Sequence, residues 1–118
     1  MTPRETNPNF MNGVPELLIL SLLQSGEMYG YELVQAIRDR TGASIALGEG
    51  VVYPVLHNLE RDAALTSHRK PVNGRSRIYY SLTPAGSRRL SYLASTWTSL
   101  TNSIQQVLNG DHHAPTLP

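Results

Sequence analysis

The feature that most constrains this chain is a regular apolar pattern near its C-terminal end. Six apolar residues there are separated by intervals of 3, 4, 3, 4 and 3: Leu90, Leu93, Trp97, Leu100, Ile104 and Val107. This spacing places side chains on the a and d positions of a coiled coil. The pattern predicts a single helix over residues 84–108, with Thr83 as its N-cap and Pro84 at its first position.

A helix of about 25 residues is ~37 Å long, and a chain of 118 residues has material for one small domain. The stripe could pack on its own domain, but such a domain is too small to cover the whole helix. A second copy of the chain is the simplest partner for the remainder. The sequence therefore predicts a homodimer, with these residues at its interface: Leu90, Leu93, Trp97, Leu100 and Ile104.

A β-hairpin is predicted immediately before this helix. Asn73-Gly74 is the strongest short hairpin signal, because both residues accept the positive φ of a type I′ turn. Strands are expected over residues 65–70 and 77–82. Side chains alternate along a strand, so Arg77 and Tyr79 should face outward. The residues expected to face inward are Ile78, Tyr80 and Leu82.

Positive charge is concentrated on this hairpin. Four of the ten Lys and Arg side chains lie within nine residues that contain no acid: Arg69, Lys70, Arg75 and Arg77. The formal net charge of the chain is only +1, so binding to a polyanion would depend on such local clustering. The cluster is either a solvated turn that aids solubility or a surface that meets phosphate groups.

Three shorter helices are expected upstream of the hairpin. The first, from Pro15 to Gly26, is apolar on nearly every side and should be covered on nearly every side. The second spans residues 30–40 and the third residues 50–63. The third contains Pro54, and proline is well tolerated only in the first turn of a helix. The polar face of this helix carries Gly50, Pro54, His57 and Arg61, flanked by Tyr53 and Asn58.

Helix, helix, helix, hairpin and long helix is the order of elements in a winged helix-turn-helix domain. Three segments resemble, in order, motifs of the PadR family of bacterial transcriptional regulators: YGYEL from Tyr29, VYPVLHNLE from Val52 and RIYYSLTPAG from Arg77. The resemblance covers about residues 14–108 and points to the subgroup with a single C-terminal helix. It departs from the family pattern at Ala63, where a glycine is usual, and at two basic positions, occupied by Asn58 and Ile78.

The resemblance implies a mainly α fold with a small β-hairpin. A winged helix-turn-helix DNA-binding domain would span residues 13–83, and a long C-terminal dimerisation helix would span residues 84–109. Residues 1–12 are expected to form a flexible arm and residues 110–118 a flexible tail. The function implied is that of a transcriptional repressor that binds double-stranded DNA and is relieved by small aromatic ligands.

The residues expected to contact DNA lie on the third helix and on the hairpin, the wing of such a domain. The helix would offer a tyrosine and a histidine to the major groove, while the wing cations would neutralise phosphates and release counterions. The candidate DNA-binding residues are Tyr53, His57, Lys70, Arg75 and Arg77. Two copies would place their recognition helices about one helical turn apart, ~34 Å, on a roughly palindromic operator.

Trp97 has two interpretations. A lone tryptophan on an apolar seam usually fills a core. The resemblance implies a different role, because Trp97 matches a tryptophan that lies at the dimer interface of related regulators and stacks on flat aromatic ligands. The predicted seam contains no carboxylate, so its preference for charged or neutral ligands stays open.

Other function classes receive little support from the sequence. The chain has no cysteine, no Ser/His/Asp set and no glycine-rich phosphate loop, so no enzyme activity, cofactor or metal site is expected. His112 and His113 are adjacent in the predicted tail, which is not the spacing of a metal pair on a helix. No apolar run reaches the ~18 residues of a membrane span, and a cytoplasmic protein is expected. The main alternative is a winged-helix module that binds a protein instead of DNA.

Overall fold

The computed structural model of the chain describes residues 12–110, so the predicted arm and tail lie almost wholly outside the described residues. The elements follow one another as helix, short strand, two helices, hairpin and long helix. Their bounds are α1 Val14–Leu23, β1 Met28–Tyr29, α2 Gly30–Arg40, α3 Glu49–Arg61, β2 Leu65–Val72, β3 Arg75–Leu82 and α4 Pro84–Leu108. This is the mainly α, winged-helix architecture that the sequence predicts.

The core forms where α1, α2 and α3 meet the base of the sheet. In α2 and α3 the apolar residues are spaced three or four apart, which places them on one face, whereas α1 buries adjacent residues. The side chains that are buried almost completely are Ile19 and Leu20 from α1, Leu33 and Ile37 from α2, and Val52, Leu56 and Leu59 from α3. Burying each such side chain contributes about 1.5–3 kcal/mol relative to leaving it exposed, so this cluster supplies most of the driving force that fixes the helices.

The sheet has three antiparallel strands in the order β1-β3-β2. Asn73 and Gly74 join β2 to β3 with φ values of 50° and 79°, which confirms the predicted two-residue turn. This turn sets the register, in which Lys70 lies opposite Arg77. Strand β1, which pairs with the middle of β3, was not predicted. Its two residues are too few to show the alternation of polar and apolar side chains that indicates a strand.

Ile78 points to the predicted side of the sheet but is not buried in the core. It lies on the core side of β3, but its side chain is 40% exposed. The physical reason is distance along the strand: only the base of the hairpin, where Tyr80 is 3% exposed, is covered by the helices. Toward the turn the wing projects beyond them, so an inward-facing residue there borders a groove instead of a core.

Pro54 lies deeper in α3 than the sequence predicted. The helix begins at Glu49, which makes Pro54 its sixth residue. Proline has no N–H, so α3 lacks the hydrogen bond that this position would donate to the Gly50 carbonyl. Gly50 is exposed and has open space beside its Cα, so water can satisfy that carbonyl.

A tight junction joins the end of α3, the start of β2 and the start of α4. The Thr83 hydroxyl donates to the carbonyls of Ala63 and Ala64, at 2.7 and 3.0 Å, and accepts the N–H of Gly86 at 3.0 Å. A Cβ on Gly86 would lie 2.1 Å from the Ala64 carbonyl oxygen, so only glycine permits this approach. Thr83 therefore caps α4, as predicted, and also ties that helix to the end of α3.

Helix α4 is anchored at its beginning and exposed toward its end. Arg89 donates from Nε to Glu16 of α1 at 2.6 Å and from Nη1 to Asp62, the C-cap of α3, at 3.4 Å. Leu90, one residue later, is 6% exposed and belongs to the domain's own core. The sequence assigned Leu90 to a dimer interface, but the first turns of α4 pack on α1, so this side chain offers little surface to a second copy.

The end of α3 carries a strained residue. Ala63 has φ 65°, and its N–H and that of Ala64 donate to the carbonyls of Glu60 and Leu59, at 3.0 and 2.9 Å. These two bonds form a Schellman motif, whose left-handed position glycine usually occupies. Ala63, which stands where the family usually has glycine, therefore adopts a left-handed backbone conformation that is unfavourable for alanine.

We expect Ala63→Gly to raise the free energy of unfolding by up to about 1 kcal/mol. Relief of the left-handed strain is worth at least that much, and the added freedom of glycine in the unfolded chain offsets part of it. Urea denaturation followed by circular dichroism measures the change. The matched control is Ala36→Gly inside α2, which should lower stability by about 1 kcal/mol. A loss of stability in both variants would contradict the strain at position 63.

Candidate nucleic-acid interface

A groove of about 260 Å³ lies between α3 and the wing, where α2 begins. We call it the wing groove. Its lining includes a tyrosine and a histidine from α3, two arginines from the wing, and the first residue of α2: Tyr53, His57, Arg69, Arg77 and Gly30. No carboxylate lines it among the described residues, so its polar groups are mainly donors of hydrogen bonds.

Tyr53 is held in the groove by close packing on Gly30. A Cβ on Gly30 would lie 2.5 Å from two carbons of the Tyr53 ring, so the bare Cα at the start of α2 makes room for the ring. A phenol is protonated at neutral pH, and burial raises the pKa of Tyr53 further above its ordinary value, so the hydroxyl can donate a hydrogen bond. His57 lies one turn along α3, with its ring centroid 6.4 Å from that of Tyr53.

Arg77 reaches the groove across the end of β1. Its guanidinium carbon lies 4.5 Å from the centroid of the Tyr29 ring, a cation–π contact that fixes the side chain. The Nε atom is buried and has no hydrogen-bond partner in the described part of the chain. Because Nε itself has almost no exposed surface, an acceptor from outside the protein would meet the part of the Arg77 side chain that lines the groove.

Arg69 lies in the wing groove although it was not among the predicted site residues. The strand alternation puts it on the face of the sheet that meets α3, opposite Ile78 in the register, and its Nη1 lies 3.4 Å from the Ser76 hydroxyl. The sequence held the signal that could have found it. A two-residue turn at Asn73-Gly74 pairs position 69 with position 78, and position 78 was already assigned to the inward side.

Lys70 lies on the face of the sheet that points away from α3. Arg77 is directly opposite it in the register, but the Arg77 side chain also lines the wing groove. The Lys70 ammonium pairs with the Glu27 carboxylate and lies 4.7 Å from the Tyr79 ring centroid. Arg75 is exposed at the end of the hairpin. The structure thus brings Tyr53, His57 and Arg77 together in one groove, while it places Lys70 and Arg75 on adjoining surfaces of the wing.

The apolar stripe of α4 forms a second surface. Trp97 is 43% exposed, Leu100 51% and Ile104 48%, while Leu93 packs partly on the core. Within a single chain Trp97 is therefore not a core residue. Nearly half of its surface is available to another molecule.

The described residues contain no candidate metal site. Over residues 12–110, no group of three or more His, Asp or Glu side chains could hold a metal ion. In the same range, no helix combines the length and apolar character needed to cross a membrane. His112 and His113 lie outside the described residues.

Comparison with known proteins identifies the family. Residues 19–92 match the transcriptional regulator PadR-like family. The chain is 34% identical over 104 residues to transcriptional regulator Rv3488 of Mycobacterium tuberculosis, covering 88% of this chain and 92% of that protein.

Solved structures agree with this relationship. A PadR family transcription regulator from Clostridium difficile is 30% identical with a TM-score of 0.71, over 80% of this chain and 97% of that one. A transcriptional regulator from Clostridium thermocellum is 28% identical with a TM-score of 0.77, over 83% and 96%. With its three sequence motifs and its helices and wing in the expected order, the chain belongs to the PadR-like family of DNA-binding transcriptional regulators, which are not enzymes.

Proposed function

We propose that the chain is a repressor that binds a roughly palindromic operator as a homodimer in the cytoplasm, and that a flat aromatic ligand at the dimer interface relieves repression. The observation that carries this proposal is the wing groove. It brings together a tyrosine, a histidine and two arginines, and no carboxylate of residues 12–110 lines it. The proposed homodimer is supported by the exposed apolar stripe of α4. The repressor role, the palindromic operator and the aromatic ligand are proposed from the resemblance to the family.

A phosphate oxygen suits the wing groove better than a carbonyl or hydroxyl would. Arg69 and Arg77 bring two positive charges to its walls, and the Tyr53 hydroxyl adds a neutral donor. Charge-assisted hydrogen bonds to an anion are roughly twice as strong as neutral ones. A backbone phosphate seated here would fix the position of α3 on the duplex without reading its sequence.

The exposed face of α3 would contact the DNA bases and recognise their sequence. His57 is exposed there and can meet a base edge, whereas Gly50 and Pro54 permit close approach but form no side-chain hydrogen bonds. Direct readout from this face is sparse. We therefore expect the shape of the DNA and the spacing of two half-sites to supply much of the specificity.

The dimer is supported by the unpartnered apolar surface of α4. Leu100 and Ile104 lie on the same side of the helix as Trp97, and all three are about half exposed. Contiguous apolar surface of this kind marks an interaction site in soluble proteins. A second α4 would cover it, and the a/d spacing of these residues suits such a pairing. Leu93, part-buried at the edge of the core, would begin the interface.

Binding to duplexes selected from a random pool tests the function. We expect the bound sequences to be palindromic, with half-site centres about one helical turn apart. In the double variant Arg69→Ala, Arg77→Ala, binding should weaken for every duplex by a similar factor. The plot of log K against log salt should flatten by about 0.9 for each phosphate that the wing no longer neutralises. Fluorescence anisotropy over a range of salt concentrations measures both quantities.

The matched control for this experiment is Arg88→Ala. Arg88 is an exposed cation in the early turns of α4 and lies outside the wing groove, so its removal should leave the salt dependence nearly unchanged. If both the double variant and the control bind as the unaltered protein does, the wing groove is not a phosphate site. If the unaltered protein enriches no duplex at all, the protein-binding alternative replaces the proposed function.

We expect Leu100→Asp combined with Ile104→Asp to produce monomers. Two carboxylates in an apolar seam would lose their solvation without gaining partners, so the paired helices should separate. Sedimentation equilibrium measures the mass. Asn102→Asp with Gln106→Asp adds the same charge to the opposite, exposed side of α4 and should leave the dimer intact. A dimer that persists in the first variant would refute this interface.

Trp97 should report ligand binding. Flat aromatic compounds that stack on the indole ring should quench its fluorescence, and this tryptophan is the chain's only one. The monomeric variant carrying Leu100→Asp and Ile104→Asp should lose the response, because the proposed ligand site lies between two copies. Unchanged fluorescence across a chemically broad panel would leave Trp97 as a packing residue of the interface.

A further inference from the structure

One acidic residue, from outside the hairpin, contacts the basic wing. Glu27 lies just before β1, and its two carboxylate oxygens contact two wing residues. One oxygen lies 3.2 Å from His68 Nε2 and the other pairs with the Lys70 ammonium. Within residues 12–110, no comparable ion pair joins an acid to the other wing cations, Arg69, Arg75 and Arg77.

The pair lies beside the residues that would meet DNA. Lys70 is directly opposite Arg77 in the β2–β3 ladder, and residues opposite one another in a ladder share a face of the sheet with Cβ atoms about 4.5–5.5 Å apart. Tyr79 lies under the Lys70 ammonium, and its ring packs edge-to-face on that of Tyr29, which in turn lies under Arg77. The Glu27 carboxylate is thus paired with the residue that lies directly opposite Arg77 in the ladder.

Both partners remain accessible to an incoming anion, since the Glu27 and Lys70 side chains are only partly covered. The hydrogen bond from Lys70 lowers the pKa of Glu27 below its ordinary value, so the carboxylate is charged at neutral pH. A lysine that is already paired with a carboxylate contributes almost no net charge to the attraction of a duplex. The carboxylate itself would repel a phosphate at that point.

We propose that Glu27 lowers the affinity of this regulator for all DNA by competing with a backbone phosphate for Lys70. The carboxylate occupies the place on the ammonium that a phosphate oxygen would take, so binding must exchange one anion for the other. This inference rests on the proposed function, because it requires the wing to face DNA. Glu27 is a positioning residue in this account and touches no base.

The competition sets the overall affinity for DNA and leaves sequence discrimination unchanged. Phosphate contacts are the same on every duplex, so an internal acid that offsets one of them weakens operator and non-operator DNA equally. The operator is selected by the ratio of its affinity to that of non-specific DNA, so this ratio stays the same while the occupancy of every duplex falls. The wing would then be basic enough to dock yet restrained from binding every duplex tightly.

Glu27→Gln tests the proposal, because glutamine keeps the shape of the side chain and removes its charge. Anisotropy titrations with the selected operator and with a scrambled duplex should show tighter binding of both, by a similar factor. We expect roughly three- to fivefold per half-site, the scale of one exposed ion pair. The salt plot should steepen by about 0.9 per half-site, since Lys70 would then displace a counterion of its own.

Two controls separate local competition from a simple gain of positive charge. Asp39→Asn removes one exposed carboxylate from α2, and it should leave the salt slope unchanged. In a Lys70→Gln background, Glu27→Gln should have little further effect, because the competed cation is gone. Glu27→Ala provides a second variant with the same expected gain, and thermal unfolding should show each variant folded.

The outcomes distinguish this proposal from the function on which it rests. If the unaltered protein binds DNA and Glu27→Gln leaves affinity and slope unchanged, or weakens binding, Glu27 is not a competitor while the proposed function stands. An equal gain in the Lys70→Gln background overturns the competition at Lys70 as well. If the unaltered protein binds no duplex, the proposed function and this inference both fail.

Discussion

The junction around Thr83 is the constraint on which the rest of the structure depends. One hydroxyl donates to the carbonyls that end α3 and accepts the N–H that begins α4, and Gly86 lets the two backbones approach. Arg89 reinforces the same connection by bridging α1 to the C-cap of α3. Helix α3, the proposed recognition helix, and α4, the proposed dimerisation helix, are therefore held in one rigid arrangement. The spacing of two recognition helices in a dimer would follow from how the α4 helices pair.

The wing combines aromatic rings with cations, and this shapes its chemistry. Tyr29 and Tyr79 form an edge-to-face pair, and each carries a cation over its ring, Arg77 and Lys70 respectively. The rings limit the freedom of these long side chains, so less entropy is lost when they meet an anion. The two cations differ in what they face: Arg77 reaches a groove that no carboxylate of the described residues lines, and Lys70 faces Glu27. A small surface thus holds one cation that is available and one that is restrained.

Much of the fold could be predicted from the sequence because its signals are local. The Asn73-Gly74 turn, the Thr83 cap and the spacing of the α4 stripe depend only on neighbouring residues, and the structure reproduces the turn and the cap. The residues where prediction and structure differ depend on distant parts of the chain. Ile78 is exposed because the helices end short of it, and Leu90 is buried because α1 covers it. Lys70 is paired because Glu27, which is 43 residues away in sequence, lies next to it in the fold.

The sequence by itself determined the order and type of the elements, the family, and the concentration of charge on the hairpin, since periodicity, turn chemistry and composition are written along the chain. The tertiary structure alone decided which cations are free and which are paired, and how much of α4 stays uncovered. Those properties depend on distances between residues far apart in sequence, and only packing of the helices against the sheet sets such distances.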